Sequence, residues 1–578
     1  MTNRGKLFSK LITLLLFFTP CFAIVFYFFA VITKIVGLEL NNFTILVATS
    51  FSVLICLRLK TEFQGNKSIV LGIFIFLYFL LILPSLTFSG KRLGLANGNV
   101  DSGVHLGMIK SIIHHKQLLW GVEDPFLLPA EKVYPAISHM LVVAPSILLT
   151  NDHQIPVKRN IIIFNLFVLL NCFVFVNSLV LLLLLILRKN ESLKVAIIIK
   201  VFVGISFLSY LFSSNFTAFW AQSVAVLLLS SALYLFDDED DNFSKLLIGS
   251  VLSVGASLAW TLVLPITTAL VTSQVLKRRH LLSYWWKPLI FLAILACQLI
   301  PIYQFKGAIS IKHILEWGGV DRIPYPWWLL IFLFTFTISR IIHLKEKKDF
   351  LKPTVVLFFS TILTMVAILC FQLFLIGDVN YYFFKLFYFL VIPLIILSAE
   401  ELNDLLTNRR KLFIINKILL WILIIVILSV ILIKNTFWGD LYRGKLFYPD
   451  AHHYNTILAL QEKYQDQKVR VLHIDQDFFG KYFRRALLLD TPHLLNLDES
   501  VTSKKSDQKT SLEKVGMWKS QLAPKGEKLV IFDAFSSIGQ NCFLGLVQYA
   551  KRNNIDIYPD IDLQKMTQDC GSDQSLSQ

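Results

Sequence analysis

The chain has 578 residues, of which 55% are apolar and only 16% are charged, against roughly 25% charged residues in an average soluble protein. Apolar runs of about 17 residues or more recur along most of the chain, and no soluble fold buries that many helices that are apolar on every side. The net charge of +16 lies mostly in short loops between these runs, without a basic helix or an aromatic platform for bases, so the charge does not indicate a nucleic-acid partner.

Thirteen apolar segments are predicted to cross a lipid bilayer as helices. The first follows a basic N-terminus and has no small-residue cleavage site before Lys34, so it is predicted to be an uncleaved helix and not a removed signal peptide. The fold class is therefore an all-α polytopic membrane domain. The predicted spans are 11–36, 42–58, 69–88, 161–187, 195–212, 217–236, 246–258, 261–275, 286–305, 327–343, 353–376, 383–399 and 412–434.

Basic residues cluster in alternate loops, which predicts that these loops and the N-terminus are cytoplasmic. The exception is the acidic run 237–241, and acidic residues contribute little to orientation. With thirteen spans, residues 435–578 lie outside the cytoplasm. The sequence thus predicts a multi-pass plasma-membrane protein with an extracytoplasmic C-terminal domain.

The apolar stretch 245–276 requires a choice, because both of its flanking loops are predicted to be cytoplasmic. A single helix would place those loops on opposite sides of the membrane. Two short helices, joined near Ala259 and Trp260 with Pro265 in the second, keep both loops on one side. Short, broken helices are tolerated where they line a cavity.

The predicted outer loop, residues 89–160, is long enough to suggest a function. Apolar residues recur at helical spacing from His105 to Trp120, which predicts an amphipathic helix in the membrane interface. Residues 135–150 are apolar but short, and we expect a helix that dips into the outer leaflet.

The composition changes after residue 434, which divides the chain into a membrane domain, 1–434, and a soluble domain, 435–578. Short buried-strand patterns alternate there with helical stretches, which predicts a small three-layer α/β domain. Cys542 and Cys570 lie in it, either as a disulfide or as two free thiols. The predicted strands are 469–474, 528–533 and 555–558, and the helical stretches are 451–465 and 538–552.

Asp101 and His105 open the outer loop four residues apart, so they share one face if the segment is helical. An acid at the membrane surface beside a cavity can serve as a general base. Asp101 can also cap a helix that starts at Ser102, and the two roles can coexist. A second polar run, from Tyr134 to His139, precedes an apolar helix.

Lys385 lies at the start of the twelfth predicted span, within the outer membrane boundary, where a charge needs a partner or a cavity. A lipid-linked phosphate would be a suitable partner, because Lys binds phosphate well. The alternative is a Lys that extends its ammonium group to the membrane surface, with Tyr381 and Tyr382 in an interfacial aromatic belt.

Other charged groups carry weaker functional signals. Arg322 is a second candidate ligand for phosphate, although a local ion pair with Asp321 is the favoured explanation. The pairs His114–His115 and His452–His453 have no acidic partner at metal-ligand spacing and are interpreted as solvated surface. No Gly-rich phosphate loop is present, so the sequence gives no support to direct use of a nucleotide.

The Asp-x-x-x-His run from Asp101 to His105 and the Tyr-Pro-x-x-x-His run from Tyr134 to His139 resemble motifs of GT-C glycosyltransferases. The resemblance extends to the paired short helices at 246–275 and covers roughly residues 69–400. GT-C enzymes are polytopic membrane proteins that take sugars from polyprenyl-phosphate donors on the outer face of the membrane.

The resemblance implies an inverting transfer of a sugar to a cell-envelope glycan or another acceptor, with Asp101 as the catalytic base. It specifies no cofactor and leaves the need for a divalent cation open. The other residues expected in the site are the donor-phosphate ligands Lys385 and Arg322 and the substrate-binding residues His105, Tyr134, His139, Tyr381 and Tyr382.

Two alternatives use similar substrates without this chemistry. A flippase or transporter of lipid-linked glycans needs internal repeats or an alternating pathway, and the helix pattern does not repeat between the two halves. A glycan polymerase would want arginines in the outer loops, where few are found. The sequence therefore favours the glycosyltransferase, with the lipid bilayer, a polyprenyl-phosphate sugar and a glycan acceptor as partners.

Overall fold

A computed structural model of the chain is mostly helical, with a small sheet near the C-terminus. It describes residues 3–59, 100–122, 136–150, 156–187, 220–237, 242–301, 327–346, 349–379 and 381–407, single residues between these ranges, and pieces of 459–569.

The helices are numbered in chain order. The first six are α1 (Asn3–Val36), α2 (Asn42–Arg58), α3 (Val100–His115), α4 (Ile137–Leu149), α5 (Pro156–Leu187) and α6 (Trp220–Phe236). The next six are α7 (Phe243–Ala259), α8 (Leu264–Lys277), α9 (Trp286–Ala296), α10 (Trp327–Glu346), α11 (Pro353–Leu375) and α12 (Tyr381–Thr407).

Ten of the thirteen predicted spans coincide with these helices, namely with α1, α2 and α5–α12. The predicted spans 69–88, 195–212 and 412–434 lie outside the described residues, apart from single helical positions in the first of them. Within the described residues, four helical segments are long and apolar enough to cross a membrane: Lys10–Val36, Asn165–Ile186, Pro353–Leu375 and Tyr382–Glu401. The number of spans and their sidedness remain predictions.

Two glycines of α7 allow this helix to pack closely against α1 and α6. A Cβ atom at Gly255 of α7 would lie 2.5 Å from Cδ1 of Ile24 on α1, and one at Gly249 would lie 2.7 Å from Cε1 of Phe236 on α6. A larger side chain at either position would therefore force Ile24 or Phe236 to move. Such small-residue contacts are typical of helices that pack without a hydrophobic driving force between them.

The predicted break in the stretch 245–276 is confirmed. Helix α7 ends at Ala259, Trp260 has an extended backbone (φ −146°, ψ 103°), and a short 3-10 turn precedes α8. Pro265 lies in the first turn of α8, where its missing N–H leaves no helical hydrogen bond unmade. The chain thus forms two short helices packed against each other.

The start of α7 and the end of α8 lie at the same end of this helix pair. Arg278, just after α8, donates a hydrogen bond of 2.8 Å from Nη2 to the carbonyl oxygen of Phe236, where α6 ends and the loop to α7 begins. Gln274 donates a hydrogen bond of 2.8 Å to the carbonyl oxygen of Leu351, just before α11. The chain therefore enters and leaves the pair at one end, as the argument from the flanking loops requires.

A group of charges with a buried centre occupies this same end and joins α10, α11 and α12. Lys352, which precedes α11, contacts Glu400 of α12, and Nε of Arg340 on α10 lies 3.2 Å from Oε2 of Glu400. Arg340 also pairs with Asp404. Glu401 accepts a 2.6 Å hydrogen bond from Ser339 and lies 3.0 Å from Nδ1 of His343. We call Arg340, His343, Lys352, Glu400, Glu401 and Asp404 the ion cluster.

The two short helices predicted within residues 89–160 are present, and protein covers much of both. The expected interfacial helix is α3, and its apolar residues Leu106, Ile109 and Ile112 are buried inside the protein. The expected leaflet-dipping helix is α4, which packs against α1, α3 and α5. An apolar periodicity identifies a face that avoids water, but it does not tell whether lipid or protein covers that face.

The C-terminal part contains a parallel four-stranded sheet in the order β2-β1-β3-β4. The three predicted strands are confirmed as β1, β3 and β4, whereas β2 was not predicted. Residues 434–435 and both cysteines of the soluble part lie outside the described residues. The strands are β1 (Val469–His473), β2 (Leu494–Leu497), β3 (Lys528–Phe532) and β4 (Asp556–Tyr558), with helices α13 (Leu544–Arg552) and α14 (Leu563–Asp569).

Replacement of Glu400 by Gln tests the ion cluster, because it leaves the ammonium of Lys352 buried beside a neutral amide. Removing one partner of a buried ion pair costs about 3–5 kcal/mol. We expect Glu400→Gln to lower the unfolding free energy by an amount of that order in a denaturant titration of the purified protein in mixed micelles.

Asp404→Asn is the matched control, because the Asp404 side chain pairs with Arg340 but is 47% exposed. Exposed ion pairs contribute about 0–1 kcal/mol, so this variant should unfold close to the parent protein. Equal losses for the two variants would contradict the structural role assigned to Glu400.

Candidate functional site

The candidate site lies at the opposite end of α12 from the ion cluster. Lys385 is buried near the start of α12, fifteen residues before Glu400. At 1.5 Å of helix per residue, the two residues are roughly 22 Å apart along the axis. One helix thus carries a buried cation near one end and buried carboxylates near the other.

The break between α7 and α8 contributes an aromatic ring to this site. Nζ of Lys385 lies 6.0 Å from the ring centroid of Trp260, and the Trp260 ring stacks on Phe389 of α12 at 5.1 Å. A cation at this distance from an indole face is attracted by the ring quadrupole. Trp260 was identified from the sequence only as the joint of the helix pair, so its place in the site is a new finding.

Two histidines from the predicted outer loop meet in the interior of the helical part. Nδ1 of His105 on α3 and Nε2 of His139 on α4 are 2.9 Å apart, a hydrogen-bond distance, and both side chains are buried. The ring of Tyr134 lies edge-on to both imidazoles, at 5.5 Å from His105 and 6.0 Å from His139. The packing of α3 against α4 brings together residues that are 34 positions apart in the sequence.

The electrostatics connect the histidine pair to Lys385. Burial lowers the pKa of His105 well below its ordinary value, and the neighbouring His139 and the positive charge of Lys385 lower this pKa further. His105 is therefore neutral near pH 7. The ammonium group of Lys385 is thus near enough to the histidine pair for its charge to act on His105.

The first turn of α4 holds buried polar atoms that are not satisfied. Trp220 of α6 donates a 2.9 Å hydrogen bond to the carbonyl oxygen of Ser138, which fixes the start of α4. Within the described part of the chain, Nδ1 of His139 and Oγ of Ser138 are buried without a hydrogen-bond partner. Buried polar atoms of folded proteins are nearly always paired, so such atoms indicate a place where a ligand or water binds.

The structure brings three of the residues predicted for the site into contact, namely His105, Tyr134 and His139. Lys385, a fourth predicted residue, contacts Trp260, and its charge acts on His105. Asp101 lies in α3 one turn before His105, so the helical spacing proposed for these two residues is present. The Asp101 side chain is outside the described part of the structure.

The remaining predicted residues are not placed in the site. Tyr382 is half-buried and packs against the core of the helical part. Tyr381 lies in α12, but its side chain is outside the described residues, as is the whole of Arg322. The exposed residue His114 lies next to His115 at the end of α3, as the surface interpretation of this pair predicts.

The chemistry of the site favours an anion over a metal ion. Across the described ranges, no three His, Cys, Asp or Glu side chains form a group that could hold a metal. The buried ammonium of Lys385 repels cations and attracts phosphate, and imidazole N–H groups can donate hydrogen bonds to phosphate oxygens.

A comparison with models of known protein families gives no match, and neither does a comparison with curated protein sequences.

Proposed function

We propose that the chain is a membrane glycosyltransferase of the GT-C type, which transfers a sugar from a polyprenyl-phosphate donor to a glycan or another acceptor. The observation that carries this proposal is the convergence of Lys385, Trp260 and the pair His105–His139 at one end of the helical part. A buried cation, hydrogen-bond donors and aromatic rings are the groups that a lipid-linked sugar phosphate requires.

The proposed orientation places this site at the outer membrane boundary. Positive loops favour a cytoplasmic N-terminus and thirteen spans, with the domain 435–578 outside the cytoplasm. The ion cluster would then face the cytoplasm. Hydrogen bonds place Phe236, Arg278 and Leu351 at one end of the helices. All three lie in or beside loops that the charge pattern assigns to the cytoplasm, which supports this arrangement.

In the proposed reaction, Lys385 holds the phosphate of the donor and offsets the negative charge that develops on it. Asp101 accepts the proton of the acceptor hydroxyl while the hydroxyl oxygen attacks the anomeric carbon. The new bond joins that oxygen to the sugar, the bond between the anomeric carbon and the phosphate oxygen breaks, and the polyprenyl phosphate leaves. Attack opposite the leaving group inverts the anomeric configuration. Fixed charges aimed at the leaving phosphate stabilise such a transition state.

A flippase for the same lipid is the alternative function. The buried contacts of Lys352, Glu400 and Arg340 hold α10, α11 and α12 together at one end, and an opening between these helices at that end would break them. These contacts favour a site that opens to one side only.

The first test removes the proposed base. Asp101→Asn keeps the size of the side chain but abolishes its capacity to accept a proton, so we expect normal folding and a loss of at least about a hundredfold in sugar transfer. Turnover of a polyprenyl-phosphate sugar by the purified protein measures this loss. Asp378→Asn, at an exposed carboxylate before α12, is the control that should remain active. An Asp101→Asn protein as active as its parent would end the proposed role of Asp101.

The second test separates donor binding from chemistry. Lys385→Met preserves an apolar stem but removes the charge, and a hydrogen bond to a charged group is worth about 1.5–3 kcal/mol. The donor concentration for half-maximal rate should rise by roughly ten- to a hundredfold. Lys385→Arg should retain much of the binding.

Lys287→Met provides the control for Lys385→Met. Nζ of Lys287 lies over the ring of Phe243 at 4.7 Å, so this Lys also contacts aromatic rings, but it lies at the start of α9 and not in the site. Its substitution should leave the donor dependence unchanged. The phosphate assignment is wrong if Lys385→Met and Lys287→Met have the same donor dependence as the parent protein.

A further inference from the structure

The contact between His105 and His139 restricts where their protons can lie. At 2.9 Å, one of the two facing nitrogens carries a hydrogen and the other accepts it. In a neutral pair, each imidazole holds one proton. If His105 donates, the second proton lies on Nδ1 of His139; if His139 donates, it lies on Nε2 of His105. A neutral pair therefore offers one N–H donor and one bare nitrogen at its two outer positions.

One of these outer positions lacks a partner in either case. Nδ1 of His139 is buried, and no group among the described residues bonds to it, whether it carries a hydrogen or a lone pair. A buried polar atom in this condition is less stable than a hydrogen-bonded one. The arrangement becomes favourable when a ligand or a change of protonation supplies the missing interaction.

The charges around the pair keep it neutral without a ligand. Burial disfavours an imidazolium, and the positive charge of Lys385 from α12 acts against it. Tyr134 lies edge-on to both imidazoles, and α3 also carries Asp101 and Lys110, with His114 and His115 in its last turn. Helix α1, which packs against α4, carries Lys10 and Lys34. A phosphate beside Lys385 reverses this balance, because its negative charge offsets that of the ammonium and favours a proton on the pair.

We propose that the His105–His139 pair takes up one proton when a lipid-linked phosphate diester binds next to Lys385. The bound pair is an imidazolium hydrogen-bonded to an imidazole, in which both outer nitrogens are N–H donors, and one of them bonds to a phosphate oxygen. The inference rests on the proposed function for the identity of the ligand, but it does not depend on sugar transfer. It makes the affinity for the donor phosphate a function of pH.

A metal ion would behave in the opposite way. A divalent cation between the two facing nitrogens needs a lone pair on each of them, so it would displace the shared proton. At a pH where some of the pairs are protonated, its binding would release protons. The direction of proton movement therefore distinguishes an anion site from a cation site.

The experiment uses the full chain in nanodiscs of zwitterionic lipid and farnesyl methyl phosphate as the probe. This diester does not titrate near pH 7, so protons taken up come from the protein's own groups. Binding heats measured by calorimetry in two buffers of different ionisation enthalpy give the number of protons. We expect close to one proton taken up at pH 7. Affinity should fall by up to about tenfold per pH unit above the pKa of the free pair, until the pKa of the bound pair is reached.

Variants and a second probe locate the proton and the ligand. His105→Gln and His139→Gln should abolish the uptake and weaken binding, whereas His114→Gln, on the exposed end of α3, should change neither. Dimethyl phosphate, which lacks the prenyl chain, should bind much more weakly than the farnesyl diester. Equal affinity for the two probes would overturn the lipid-linked source of the phosphate.

Three results would overturn the proposal itself. They are binding without proton uptake, uptake that survives both His substitutions, and binding of Mn²⁺ or Zn²⁺ at the pair with no binding of the diester. If a His variant fails to fold, the pH dependence of affinity in the parent protein still decides, since a flat profile from pH 6 to 8 contradicts the inference. Sugar turnover, measured separately, tests the proposed function. The proposed proton uptake and the proposed sugar transfer can therefore fail independently of each other.

Discussion

The contact between Lys352 and Glu400 fixes the axial positions, relative to one another, of the helices that form the site. Both groups are buried, and a buried ion is tolerated only if its partner stays within contact distance. This contact sets α11 against α12, and the hydrogen bond from Gln274 to Leu351 sets α8 against the start of α11. Slippage of α11 or α12 by one turn, about 5.4 Å, would separate this buried charge from its partner, and slippage of α8 would break the hydrogen bond of Gln274.

The consequences appear at the other end of the same helices. The start of α12 carries Lys385, and the start of α8 follows the break at Trp260. The cation–π contact between Lys385 and Trp260, and the stack of Trp260 on Phe389, therefore depend on a register that the ion cluster maintains from roughly 22 Å away. A rigid support of this kind is what an electrostatic site needs, because its groups must be oriented before the reaction begins.

Much of this arrangement could be predicted from the sequence, because it follows from local rules. The break at Ala259–Trp260 followed from the charge of the flanking loops, and Lys385 was singled out as a charge at a helix start in an apolar segment. The ion cluster could not be predicted, because Arg340 and Glu400 are 60 residues apart and their pairing is decided by helix packing alone. Strand β2 has only four residues, Leu494–Leu497, which is too short for a clear pattern. The pairing of His105 with His139 likewise depends on how α3 packs against α4.

A structure of the full chain bound to farnesyl methyl phosphate tests the central claim most directly. The account predicts that the phosphate lies within about 3 Å of Nζ of Lys385 and of an outer nitrogen of the His105–His139 pair, with the prenyl chain leaving the site toward lipid. A phosphate bound away from Lys385, for example beside Lys287 or at the ion cluster, would contradict it.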